Sequence, residues 1–124
     1  MREILFRGKD IRGSWHIGLL AHIGNAWYIS NKAGVATAFE IVPQTFGQYT
    51  GLKDRKGTDI FEGDIVNIIR AEENGKVEWR ENDAAFEVVG DCLEASFLEN
   101  LYGRDVEVIG NIHDNPELLK GEGE

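Results

Sequence analysis

Apolar and polar residues alternate with a period of two along most of this chain, the pattern of half-buried strands rather than of helices. Ile4 and Phe6 alternate with Glu3, Leu5 and Arg7 in a first strand that stops at Gly8. Trp15, Ile17 and Leu19 alternate with His16, Gly18 and Leu20 in a second, and the first three form its apolar side. Gly24-Asn25 is a turn signal, so Trp27 and Ile29 open a third strand and complete a hairpin. On this pattern Trp15 and Trp27 are core. Residues 31–38 are small and polar, a loop. Phe39-Glu40-Ile41-Val42 is a short strand stopped by Pro43, which has no N–H for a ladder.

The second half alternates more regularly. Residues 64–70 form a strand and 76–80 its partner, with Asn74-Gly75 as the hairpin cue between them. Asn82-Asp83 turns the chain into a strand over 85–89, and 105–112 make another. Residues 92–101 fit a helix by the spacing of Leu93, Phe97, Leu98 and Leu101, and fit a short strand as well. Asn115 followed by Pro116 is an N-cap and first-turn pair, which predicts a short terminal helix to Lys120. Five short strands in so few residues suggest a small closed barrel, since closure removes sheet edges. Its expected filling is Ile65, Val66, Ile68, Val77, Trp79, Phe86, Val88, Val106, Val108 and Ile112.

Composition sharpens this reading. Fifteen glycines against two prolines in 124 residues make glycine the source of the turns. There is no apolar run of eighteen residues, so no helical membrane span is expected. The opening residues are too few and too charged for a signal peptide, and the single cysteine, Cys92, fits a reducing interior. A cytoplasmic protein is expected.

Charge is split along the chain. Residues 1–45 carry five basic and three acidic side chains, net +2, whereas residues 46–124 carry eight basic and nineteen acidic, net −11. That divides the chain into a β subdomain over 1–45, an acidic barrel with its terminal helix over 46–120, and a disordered tail, 121–124.

Three stretches carry a resemblance. They are Met1-Arg2-Glu3-Ile4-Leu5-Phe6-Arg7; Gly47-Gln48-Tyr49-Thr50-Gly51-Leu52-Lys53-Asp54 with Gly57 and the run 60–66; and Val106 through Leu119. Together they resemble the YopX-like family of small phage and prophage proteins, while 13–42 and 82–104 match loosely. The resemblance implies a phage-derived origin, a β-rich fold with an SH3-like barrel, and self-association. It carries over no catalytic residue. Read for themselves, Gly51, Gly57 and Gly63 recur every six residues as backbone positions hostile to a side chain, and Asp64 sets an Asx-type turn; these four are structural punctuation.

Site chemistry is sparse. His16, His22, His113 and Cys92 show no Cys-x-x-Cys or His-x-x-x-His spacing, although His16 and His22 share a face of an unbroken strand. Cys92 lacks a basic sequence neighbour to activate it. Ser14, Ser30 and Ser96 lie outside any nucleophile elbow, and no phosphate-binding glycine loop occurs. Asp59, Glu62 and Asp64 lack the ordered pattern of a calcium loop. A non-enzymatic protein with no metal or organic cofactor is expected, acting through contacts with its own copies or with a phage or host protein. Leu5, Leu20, Ile23 and Tyr28 fall outside a one-faced core and are the candidate self-association surface. Nucleic-acid binding is the runner-up, because Trp15, Trp27 and Tyr28 lie among Arg2, Arg7, Lys9 and Arg12. An acidic decoy of a host factor comes third.

Overall fold

A computed structural model describes residues 5–30, 38–69, 72–81, 85–89, 96–97 and 106–119. The expected tail, Cys92 and most of 92–101 lie outside them. The fold is mainly antiparallel β: β1 (Phe6–Lys9), β2 (Trp15–Ile23), β3 (Ala26–Ser30), β4 (Phe39–Ile41), β5 (Gly47–Lys53), β6 (Asp59–Phe61), β7 (Asp64–Ile68), β8 (Glu73–Arg80), β9 (Ala85–Val89), β10 (Ser96–Phe97) and β11 (Val106–Asn111). Two compact units divide at Tyr49 and Thr50, inside β5, a few residues beyond the shift in charge. The division falls there because Gly47 and Gln48 still pair with Arg7 and Phe6 of β1.

In the first unit the strands follow the order β4-β3-β2-β1-β5. The long β2 serves two partners: Trp15 to Gly18 pair with β1, and Leu19 to Ile23 pair with β3. The β2–β3 hairpin turns at Gly24-Asn25, with Gly24 at φ +62° and Ile23 opposite Ala26. Curling brings β4 round to β1, where Val42 N–H donates to Lys9 O at 2.8 Å. Ile29 and Ile41 form the buried centre, and Gly8 lies against them; a Cβ on Gly8 would stand 2.4 Å from Ile41 Cγ2.

This reverses the expected orientation of β2. Registers place Phe6, Gly8, His16, Gly18, Leu20, Ile29 and Ile41 on the inner side, and Trp15, Ile17 and Leu19 on the outer. Ile17 and Leu19 are 45% and 46% exposed. Alternation specifies which residues share a side, not which side is inside. A small, tightly curled sheet selects the side with glycines, because bulky side chains there would hold the strands apart.

The second unit is an open five-stranded sheet, β10-β9-β8-β7-β11, accompanied by the hairpin of late β5 and β6. Its core is Ile60, Val66, Ile68, Val77, Phe86, Val88 and Val106, with Leu52 and Val108 packed on it. Ile65 is also buried, although its register partner Lys76 shows that it faces the opposite side of the sheet from Val66. Among the described residues the sheet does not close into the expected barrel. Trp79 is not core either: it sits where β8 ends, 42% exposed and edge-on to Phe86 with ring centres 5.1 Å apart. Ile112 is half-buried.

Two local expectations change as well. Asn74-Gly75 is not the hairpin turn but part of β8, opposite Asn67 and Val66. Gly75 is required there for close packing, since a Cβ would meet Val88 Cγ1 at 2.6 Å and Val89 O at 3.1 Å. Glu72, at φ +55°, takes the left-handed position in the turn instead. Among the described residues the terminal helix is a 3-10 turn, Pro116–Leu119, with Leu118 N–H donating to Asn115 O at 3.0 Å, and Lys120 lies outside them. Asn74 Nδ2 donates to Leu118 O at 3.0 Å, so β8 satisfies one carbonyl of this turn.

Candidate interaction face

The outer side of β2 begins at Trp15, whose ring is met by two cations. Arg7 and Lys9, on the same side of β1, place their charges 4.9 and 5.4 Å from the ring centre. Ile17, Leu19, Ala21 and Ile23 then continue along the strand, and Ile23 is 66% exposed. Tyr28 lies opposite Ala21 and so joins this side. The result is an apolar stripe with a cationic end on a rigid sheet, and strand alternation alone holds its side chains in line.

The four residues expected to form a self-association surface therefore separate. Ile23 and Tyr28 belong to the stripe. Leu20 points to the inner side opposite Ile29, and Leu5 is half-buried, its carbonyl accepting Tyr49 N–H at 2.8 Å. Ile17 and Leu19, which share the apolar side of β2 with Trp15, are the stripe's centre. Knowledge of the β1 register would have grouped them with the two cations, because Ile17 sits opposite Arg7 and Trp15 opposite Lys9.

The histidines do not meet as ligands. His16 Nε2–H donates to Asp10 Oδ2 at 2.8 Å and its ring stacks on Phe39 with centres 3.9 Å apart. His22 stacks on Trp27 at 4.1 Å. His113 N–H donates to Asn111 Oδ1 in the turn after β11. Among the described residues no group of three or more His, Cys, Asp or Glu side chains is placed to hold a metal. The His16 bond, helped by Ser14 N–H and Arg12 N–H on Oδ1, holds the Asp10 carboxyl below its ordinary range. Its chemistry is that of a fixed turn: Asp10 shapes the β1–β2 connection.

The glycine and aspartate motif serves backbone conformation too, with Gly51 inside β5, Gly57 and Gly63 in the bends before β6 and β7, and Asp64 opening β7. Gly51, Gly57 and Gly63 have φ of +88°, +86° and +92°. Asp64, 1% exposed, accepts Phe61 N–H on Oδ2 at 2.8 Å. Gly63 links strands, since its N–H donates to Val77 O and its carbonyl accepts Ile112 N–H. The residue that sequence reasoning overlooked is Asp54. It is buried, and its oxygens accept Lys56 N–H, Thr58 N–H and, 54 positions along the chain, Val108 N–H at 2.9 Å. Burial pushes this carboxyl up, but the three backbone donors outweigh it and hold Asp54 below its ordinary range. The only available signal was Asp54 three positions before Gly57, a common turn spacing.

What these features define is an antiparallel β protein of two small units, with one solvent-facing apolar stripe and acids used as turn fasteners. Residues 19–120 match the family described as YopX protein, and the chain belongs to that family. Its fold is similar to the crystal structure of protein EF1440 from Enterococcus faecalis, with 26% sequence identity, a TM-score of 0.58, and coverage of 97% of this chain and 100% of that one. No curated protein matches the chain. Among the described residues no helix is long and apolar enough to cross a membrane.

Proposed function

We propose that this chain is a non-enzymatic accessory protein of phage or prophage origin, acting in the cytoplasm of a bacterial host through protein contacts and self-association. The observation that carries the reading is the outer stripe: Ile17, Leu19 and Ile23 are large, apolar, aligned and open to solvent on one side of a sheet. Such a face gains free energy when another protein covers it, roughly 25 cal/mol for each Å² of apolar surface removed from water. A second copy is the occupant the charges favour, because the stripe ends in Arg7 and Lys9 while residues 50–124 carry the net −11.

The test is light scattering after size exclusion of the full chain and of the double variant Ile17→Ser, Leu19→Ser. Wild type is expected to run as an oligomer at micromolar concentration and the variant as a folded monomer. A wild-type monomer would sink the reading. Nucleic-acid binding is less favoured, since the Trp15 ring that would stack on a base is already engaged by Arg7 and Lys9.

A further inference from the structure

We propose that the edge of β4, which pairs with no further strand among the described residues beyond the Val42–Lys9 bond, receives an extended peptide, with apolar and basic side chains in alternation, as an added strand. The inference rests on hydrogen-bond parity. Ile23 and Ala26 flank a two-residue turn, so they exchange the bonds that close the hairpin. Tyr28, two positions on from Ala26, therefore also directs its main-chain groups to β2. Trp27 and Ile29 direct theirs to β4, where Ile41 and Phe39 meet them. Glu40 is left with its N–H and C=O pointing away from β3. Val42 gives the same answer independently, because its N–H, two residues along, reaches Lys9 O on that far side.

Beyond the Val42–Lys9 bond, β1 does not run on beside β4. Asp10 caps the N–H groups of Arg12 and Ser14 and turns the chain into β2. The seam opens there into a cleft of about 560 Å³ lined by Asp10, Ile11, Arg12 and residues 39–43. Ile11 stands on its rim, 92% exposed. A sheet edge with main-chain groups directed into an apolar cleft is a template for one more strand.

The side chains specify what that strand carries. A strand following the line that β1 abandons runs antiparallel to β4. One of its residues then satisfies both main-chain groups of Glu40 and places its side chain beside the Glu40 carboxylate, on the outer side. A basic residue fits there. Its neighbours point inward beside Phe39 and Ile41, where apolar residues fit. The site is at the seam, where Glu40 lies opposite Tyr28 at the margin of the stripe, and its main-chain bonds involve none of Ile17, Leu19 and Ile23, so its test is separate from that of self-association.

The test is titration of the full chain with an acetylated valine–lysine alternating hexapeptide, followed by calorimetry and by hydrogen exchange at the Glu40 amide. Saturable binding and slowed exchange of that amide are expected. N-methylation of the main-chain nitrogens of the lysine residues, which removes the donor aimed at the Glu40 carbonyl without altering the protein, should lower affinity at least tenfold. Glu40→Lys should shift preference to the valine–glutamate peptide. No saturable binding up to millimolar peptide, or affinity indifferent to that main-chain N-methylation, would overturn the strand addition; a preference unmoved by Glu40→Lys would overturn its charge rule.

Discussion

Asp54 shows how a single acidic side chain can hold a turn and a distant strand together. Removing its carboxylate strands three backbone donors, one of them on β11, so Asp54→Ala should cost about 2–4 kcal/mol in chemical denaturation. Its depressed folded-state pKa also gives a pH dependence with a definite sign. Unfolded, the group titrates at about 3.9, so its contribution is complete above that value. It is lost as pH falls through the lower folded-state value, because protonation then favours the unfolded chain. The urea midpoint should drop steeply below about pH 4, and less steeply in Asp54→Asn. Equal slopes for the two proteins would remove Asp54 from this account. At this scale the sequence was legible where backbone conformation makes the demand, as at Gly63, and illegible where the partner is remote. Nothing near Asp54 in the chain names Val108.

Strands were read well as strands, and poorly as to which side faces in and where they turn. Asn74-Gly75 has the composition of a hairpin turn, yet the close approach of β9 claims Gly75 for the sheet. Gly75→Ala tests this. In a turn, alanine would disturb little beyond its own backbone angles, whereas here its Cβ would press on Val88 and on the Val89 main chain. A loss of about 1–3 kcal/mol is expected, the usual cost of overpacking. A melting temperature matching wild type would return Gly75 to the turn. Trp79 is the complementary case, a large apolar residue on the core side of β8 but at its open end. Trp79→Ala should cost about 1–2 kcal/mol, below the 3–5 kcal/mol typical of a fully buried aromatic, because part of its surface never leaves water. A loss in the higher range, read from the urea midpoint, would place the ring in the core. In β2 the error had one source. Periodicity groups Trp15, Ile17 and Leu19 correctly, but the glycines opposite them decide which group goes inside.

For the whole molecule, the antiparallel β class and the family were legible because they depend on pattern and on long ordered motifs. Barrel closure was not, since it depends on whether edges meet, which no local pattern records. The charge split adds a kinetic prediction to the proposed assembly. A basic-ended apolar stripe on one copy and an acidic unit on the next attract at a distance, and that attraction raises the encounter rate more than the affinity. Holding the complex together falls to Ile17, Leu19 and Ile23, whose burial is insensitive to moderate salt. Raising salt to about 0.5 M shrinks the screening length to roughly 4–5 Å and should slow association at least tenfold while leaving dissociation nearly unchanged. Ile17→Ser with Leu19→Ser should do the reverse, speeding dissociation and sparing the association rate. Surface-coupled kinetics at two salt concentrations separates these effects. Association rates indifferent to salt would keep the oligomer and discard its electrostatic steering. Dissociation that is faster in salt and unmoved by the serine variant would mean that charge, not the stripe, holds the copies together.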